Sequence, residues 1–299
     1  MSITTSTNET KQYTSYEYQS RGRTIGRNFK SLSAFIEHAK PGMEKYEPLW
    51  NAGWLGKDLA NYSEVITELN KWQTGEMKIV DGIIADLEAR IQTPTKRRRR
   101  ATWKEQGDSF SFERALDRKE RCWQGSRKVN RDAPRSVDIV FEFGATCEVN
   151  PRDLLNKPAV AIAICDLLEA AGYIVRLIGH RRADGCWDTS NNKSANSVEN
   201  IILKDEGQPL DKVAVVNAMT GWFYRTICFA ARTNFPTEHH IIGVDAGMGS
   251  TRCILNSDTE HVVDNLDNAI IIKGSYYLPQ IVKEATERLV EMGIMESSQ

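Results

Sequence analysis

The chain has 299 residues, 40% of them hydrophobic and 26% charged, and its formal net charge is −1. Such a composition belongs to a folded globular protein and excludes a disordered polymer, and the length allows one large domain or two ordinary ones. No apolar run approaches the roughly 20 residues that cross a bilayer. Met1–Tyr18 also lacks the apolar stretch of a secretory signal, so a cytoplasmic protein without membrane contact is expected.

In chain order, residues 1–20 are rich in Ser, Thr, Asn and Tyr and are expected to form a flexible arm. Residues 21–92 form a helical N-terminal region in this reading. Ser31 caps a helix with Leu32, Phe35, Ile36 and Ala39 on one face. Two further helices are expected at 63–72 and 76–91, the second with Ile79, Ile83, Ile84, Leu87 and Ile91 as its apolar stripe. Pro94 ends this region, because proline disfavours helix in the residue before it.

Residues 93–135 are a basic linker or extension. From Arg90 to Arg135 there are 15 Lys/Arg against 6 Asp/Glu, a balance of +9 between two acidic flanks. The run Lys96, Arg97, Arg98, Arg99 and Arg100 suits phosphate neutralisation, and Trp103 and Trp123 suit stacking on single-stranded bases. The structural alternative is a solvated linker, or cations lying against the acidic flanks.

Beyond Pro134 the pattern changes to that of an α/β domain over 136–299. Val137, Ile139, Phe141 and Phe143 alternate as a strand. A helix apolar almost all round follows at 159–171, with Pro158 at its first position and Gly172 as its terminator. Residues 173–178 form a second strand, Arg181–Ser197 a polar loop, and 198–203 an antiparallel edge strand. A helix in two pieces spans 209–231, short strands occupy 241–244 and 269–272, and a closing helix spans 278–292. Strands alternating with helices imply a mostly parallel, doubly wound sheet.

The six cysteines are scattered without a CxxC pair, which fits a reducing compartment. Neither a phosphate-cradling GxxxxGK[ST] loop, a GxSxG elbow nor an HExxH motif occurs. Gly247–Ser250 is only a fragment of a dinucleotide loop, and His239-His240 is read as the cap of a sheet edge.

Two strands end in acids, Glu142 and Asp245. Strand, site loop, capped helix, strand, edge strand, helix and strand-ending Asp is an order that resembles the von Willebrand factor A-type fold. That family holds Mg²⁺ or Mn²⁺ on an Asp-x-Ser-x-Ser loop, a later Thr and a later Asp, which are the hard oxygen ligands such cations prefer. The resemblance places Glu142 at the first Asp, Gly144 and Thr146 at the two Ser positions, Asp245 at the late Asp, and Thr220 near the Thr. Glu142 is a methylene longer than Asp and Gly144 offers no side-chain oxygen, so the implied site Glu142/Thr146/Asp245 is degenerate. Arg97–Trp123 and Leu167–Val175 also resemble a family of phage and bacterial proteins, which implies a viral origin.

The function expected is a non-enzymatic docking or scaffold protein with a protein partner. The alternative is DNA or RNA binding through residues 96–135, and a metal-dependent hydrolase is a distant third. No cofactor is expected apart from Mg²⁺ or Mn²⁺ at the degenerate site.

Overall fold

The computed structural model describes residues 4–6, 13–19, 23–71, 74–90, 102–104, 109–116, 119, 121–125, 136–144, 148–190, 192–234, 241–242, 250–251, 256–263 and 265–295. The chain divides into two compact units, one of residues 1–93 with 136–299 and one of residues 94–135.

The larger unit is built on one mixed sheet. Its strands are β1 (Thr4–Ser6), β2 (Tyr13–Gln19), β3 (Arg23–Phe29), β7 (Ser136–Glu142), β8 (Ile174–Asp188), β9 (Lys193–Lys204) and β12 (Ala269–Ile272), in the order β1-β2-β3-β9-β8-β7-β12. β7 pairs in parallel with β8 and β12, and β3 in parallel with β9. β1/β2, β2/β3 and β8/β9 are antiparallel. The short strands β10 (Ile241–Ile242) and β11 (Ser250–Thr251) also run antiparallel, against the distal half of β8.

Several expectations are corrected here. The sheet is mixed and not the mostly parallel, doubly wound sheet of the von Willebrand A type. The region 21–92 is not purely helical, because β3 belongs to the main sheet, and the segment 1–20 read as a flexible arm holds β1 and β2, which extend that sheet: buried Tyr13, Tyr16 and Tyr18 give β2 packing surface on both of its sides. The 198–203 strand is not an edge, since β3 covers its outer side, and the loop read at 181–197 is the distal half of the long β8/β9 hairpin. The strand expected at 241–244 appears as β10 and lies against β8 at Trp187 and Asp188, away from β7.

One sheet face carries the main core, with Val137, Ile139, Phe141, Val175, Leu177 and Ile201 buried on it. On it lies helix α6 (Asn156–Ala170), entered through a 3-10 turn at Asp153–Leu155. Its uninterrupted run from Lys157 to Cys165 is buried because the sheet, α4 (Thr74–Arg90) and the closing helix, labelled α11 (Leu278–Glu291), all pack against it. This is why its sequence shows no polar face. It ends at Gly172, whose φ of 92° is cheap only for glycine; Tyr173 N–H closes on Leu168 O at 3.0 Å. Among the described side chains of α4, Met77, Val80, Ile83 and Ile84 are buried and Ile79 is 39% exposed; Ile83 and Ile84 of the expected stripe are thus in the core and Ile79 is not, while the side chains of Leu87 and Ile91 lie outside the described ones.

α1 (Leu32–Met43) starts at Ser31, whose hydroxyl accepts from Ala34 N–H at 3.2 Å. α2 (Ala52–Leu55), α3 (Tyr62–Leu69), α7 (Lys212–Ala218) and the broken helix α8 (Gly221–Phe223), π-turn Tyr224–Cys228 and α9 (Phe229–Arg232) complete this side. A one-turn helix, α10 (Asn256–Thr259), lies against the other face of the sheet, the polar one described below.

The smaller unit contains the three-stranded antiparallel sheet β4 (Thr102–Lys104), β6 (Trp123–Gly125) and β5 (Ser109–Phe110) in that order, with helix α5 (Phe112–Leu116) between β5 and β6. Among the described residues, no helix is long and apolar enough to cross a membrane.

Candidate functional site

The strand-end carboxylate read as a metal ligand has another partner. Glu142 is buried, and its Oε2 accepts from Lys157 Nζ at 2.7 Å and from Gly274 N–H at 3.2 Å. The Lys157 ammonium also lies 3.9 Å from the centroid of the Tyr276 ring, and Tyr276 donates its hydroxyl proton to Gly144 O. Burial pushes the Glu142 carboxyl above its ordinary range, against the pull of Lys157. Thr146 and Asp245 lie outside the described residues. Thr220 caps α8: its hydroxyl donates to Asn217 O at 2.7 Å and accepts from Phe223 N–H. Among the described residues, no group of three or more His, Cys, Asp or Glu is placed to hold a metal ion. Lys96, Arg97, Arg98, Arg99 and Arg100 are outside the described residues; Trp103 is in β4.

The richest cluster of chemically capable groups lies elsewhere, on the sheet face opposite α6. Alternation along neighbouring strands puts Tyr16 and Tyr18 of β2, Thr24, Gly26 and Asn28 of β3, Asn196 and Asn200 of β9, and His180 and Arg182 of β8 on one side. The registers align them in rows, with Tyr16 opposite Gly26, Gly26 opposite Val198, and Val198 opposite Arg182. Asn28, Asn200 and His180 form the next row. Gly26 is required: a Cβ there would sit 1.9 Å from the Tyr16 ring, which lies across the strand.

Residues 256–263 cover this face as a strap. Asp258 of α10 receives hydrogen bonds from the Tyr18 hydroxyl and, at 2.6 Å, from Arg182 Nη1. Arg182 Nε also donates to Asp184 at 2.6 Å. Burial works against the guanidinium charge, but Asp258 and Asp184 outweigh it and hold the Arg182 pKa up. The His261 ring packs on Tyr16 and Tyr18 at 4.9 and 4.5 Å. Asn28 donates to His261 O and Arg176 to Val262 O, both at 3.1 Å.

His180 is fully buried, and burial lowers its pKa to about 4, so the ring is neutral at physiological pH. Asn200 Nδ2 donates to Tyr16 Oη and to Asn28 Oδ1, each at 2.8 Å, which leaves Asn200 Oδ1 to accept at 2.6 Å from His180 Nδ1. The proton is therefore on Nδ1 and the Nε2 lone pair faces Asp258 Oδ2 at 4.0 Å. Nε2 has no hydrogen-bond partner among the described residues. Burial, and for Tyr18 the neighbouring Asp258, raise both tyrosine pKa values.

The groups resemble an acid–base site, but they are sealed from solvent and bound to one another. Their demonstrable work is to fasten the strap to the sheet. On the other face, the row Arg27–Glu199–Arg181 does similar work. Arg181 pairs with Glu199 and donates to Cys228 O at 2.7 Å, at the end of the π-turn, while Arg27 meets His38 Nε2 of α1 at 2.7 Å. Sequence reasoning missed both rows. The period-two spacing of His180, Arg182 and Asp184 was the available signal, masked because Arg181 on the opposite face is polar too.

The family comparison matches residues 7–293 to DUF7192, a domain of unknown function. The chain belongs to the DUF7192 family. The match runs through both units of this DUF7192 chain, so residues 94–135 are part of the family's domain. No curated protein and no solved structure matches the chain.

Proposed function

We propose that this DUF7192 chain is a non-catalytic docking protein that engages a protein partner through residues 94–135. The observation that carries the reading is an exposed apolar pair. Phe112 and Leu116 stand four residues apart on α5, hence on one side of it, and are 77% and 83% exposed. They belong to a unit with 14 Lys/Arg against 6 Asp/Glu, a balance of +8. Large exposed apolar side chains in a charged surround are the usual make-up of an interaction site. The sealed polar groups of the larger unit support a scaffold role for it. The likeness of Arg97–Trp123 and Leu167–Val175 to phage and bacterial proteins supports work in the host cytoplasm.

The test compares the full chain with its Phe112→Ser/Leu116→Ser variant as bait in host lysate, crosslinked and treated with nuclease. The expected outcome is a nuclease-resistant protein partner recovered by the natural chain and lost with the variant. Equal recovery by both would end this reading.

A second reading, nucleic-acid binding, is favoured by Lys96–Arg100 together with Trp123, which is 36% exposed. It predicts a gel shift that weakens steeply with salt, and an Arg97–Arg100 to Ala variant with a flatter salt slope. A shift absent at low salt removes it.

A further inference from the structure

We infer that the partner of α5 is a second copy of this chain, and that its Phe112–Leu116 side docks into a groove between α1, α3 and the end of β9. The inference rests on the reading of residues 94–135 as the docking element and names what that element meets.

The groove has a volume of about 520 Å³, within the range of cavities that take a few large side chains. Its floor is apolar: Leu32 and Ile36 from α1, Ile66 from α3 and Leu203 from β9 are all only partly buried. Its rim is acidic. Glu37, Asp205 and Asp211 line it, and Lys30 is the only cation among its lining residues. Asp205 and Asp211 accept from backbone N–H groups, of Glu206 at 2.8 Å and Ala214 at 3.0 Å.

The element that complements this groove is present in the same sequence. α5 presents two large apolar side chains one helical turn apart, and Lys119 and Arg121, both exposed, follow it within five residues. The apolar pair matches the floor and the cations match the rim. This is the arrangement by which a short amphipathic helix is read by a groove, with rim charges setting orientation and encounter rate. Charge segregation in the sequence points the same way: the +8 unit is embedded in a chain whose net charge is −1, so the rest of each copy is acidic. The contact joins different surfaces of two copies. It closes into a dimer when reciprocal and propagates when it is not.

Sedimentation of the full chain at low ionic strength, over a range from about 1 to 100 µM, tests this. These concentrations bracket the affinities of small interfaces. The expected result is a weight-average mass that rises with concentration and falls back toward the monomer as salt screens the rim charges. Phe112→Ser/Leu116→Ser and, separately, Glu37→Lys/Asp205→Lys should each weaken association by about tenfold or more, with thermal stability unchanged because these positions are at the surface. Mixing the two variants should restore mixed dimers, since one supplies an intact groove and the other an intact helix. A monomer at all concentrations overturns the inference. So does association that ignores either variant, or a mixture that fails to restore it. If the chain is monomeric while the Phe112/Leu116 variant still loses a crosslinked partner, the inference falls and the docking reading stands. If that variant changes neither experiment, both fall.

Discussion

Lys157, in the first turn of α6, places its ammonium 2.7 Å from Glu142 at the end of β7, and both side chains are almost wholly buried. The pair joins helix to strand at the point where an oxygen-ligated cation was expected. Breaking one member of a buried pair strands the other's charge, which costs about 3–5 kcal/mol. Lys157→Met should therefore lower unfolding free energy by that order in urea titrations. Adding Glu142→Gln should recover a large share, because no charge is then left uncompensated. Calorimetric titration with Mg²⁺ or Mn²⁺ should give no heat assignable to Glu142, since a cation already holds it; a heat signal abolished by Glu142→Gln would contradict this.

His180 sets a pH dependence whose sign is fixed by burial. Its pKa is lowered from 6.5 to about 4 in the fold. Between these values the unfolded chain binds the proton and the folded chain does not. This contribution to stability is present above pH 6.5 and is lost as pH falls toward 4. At most it amounts to a few kcal/mol, at about 1.4 kcal/mol per pH unit. Denaturant unfolding from pH 7 to 4.5 should show this slope, and His180→Gln should flatten it; an unchanged slope would place the sensitivity in other groups.

Gly26 is matched to Tyr16. Gly26→Ala puts a methyl group into the Tyr16 ring and is expected to destabilise by about 1–3 kcal/mol or more through overpacking. Tyr16→Ala made in the same chain should remove most of that steric penalty while adding its own loss of packing. A double-mutant cycle reads the coupling directly, and additive effects would show that the ring does not constrain the strand.

Thiol reactivity should separate the described cysteines. Cys165, Cys186 and Cys228 are buried and Cys122 is partly exposed. Burial pushes the Cys165 and Cys228 thiols up to about 12, so little thiolate is present at neutral pH. Brief iodoacetamide treatment of the folded chain, followed by peptide mass mapping, should label Cys122 well ahead of these three. Equal labelling would mean the core around α6 and the π-turn opens readily.

The sequence by itself determined the elements whose residues carry their environment within a short window. β7 alternates large apolar residues, α6 is apolar on all sides between a Pro start and a Gly172 stop, and α11 repeats at helical spacing; each is found within a few residues of its expected bounds. The basic balance of residues 90–135 is likewise legible in the sequence, whereas α5 and its exposed Phe112 and Leu116 were not read there. Tertiary structure alone decided the rest. β2 and the distal half of β8 and β9 are too polar to be read as buried strands, because their partners are remote: Tyr18 meets Asp258 across 240 residues, and Asn200 meets Tyr16 across 184. Buried polar groups are stable only when such partners arrive. Local periodicity carries no information about partners that far along the chain. The same reason hid the fate of Glu142: a strand-end carboxylate looks alike whether a metal ion or a lysine meets it, and here the packing of α6 against β7 supplied Lys157.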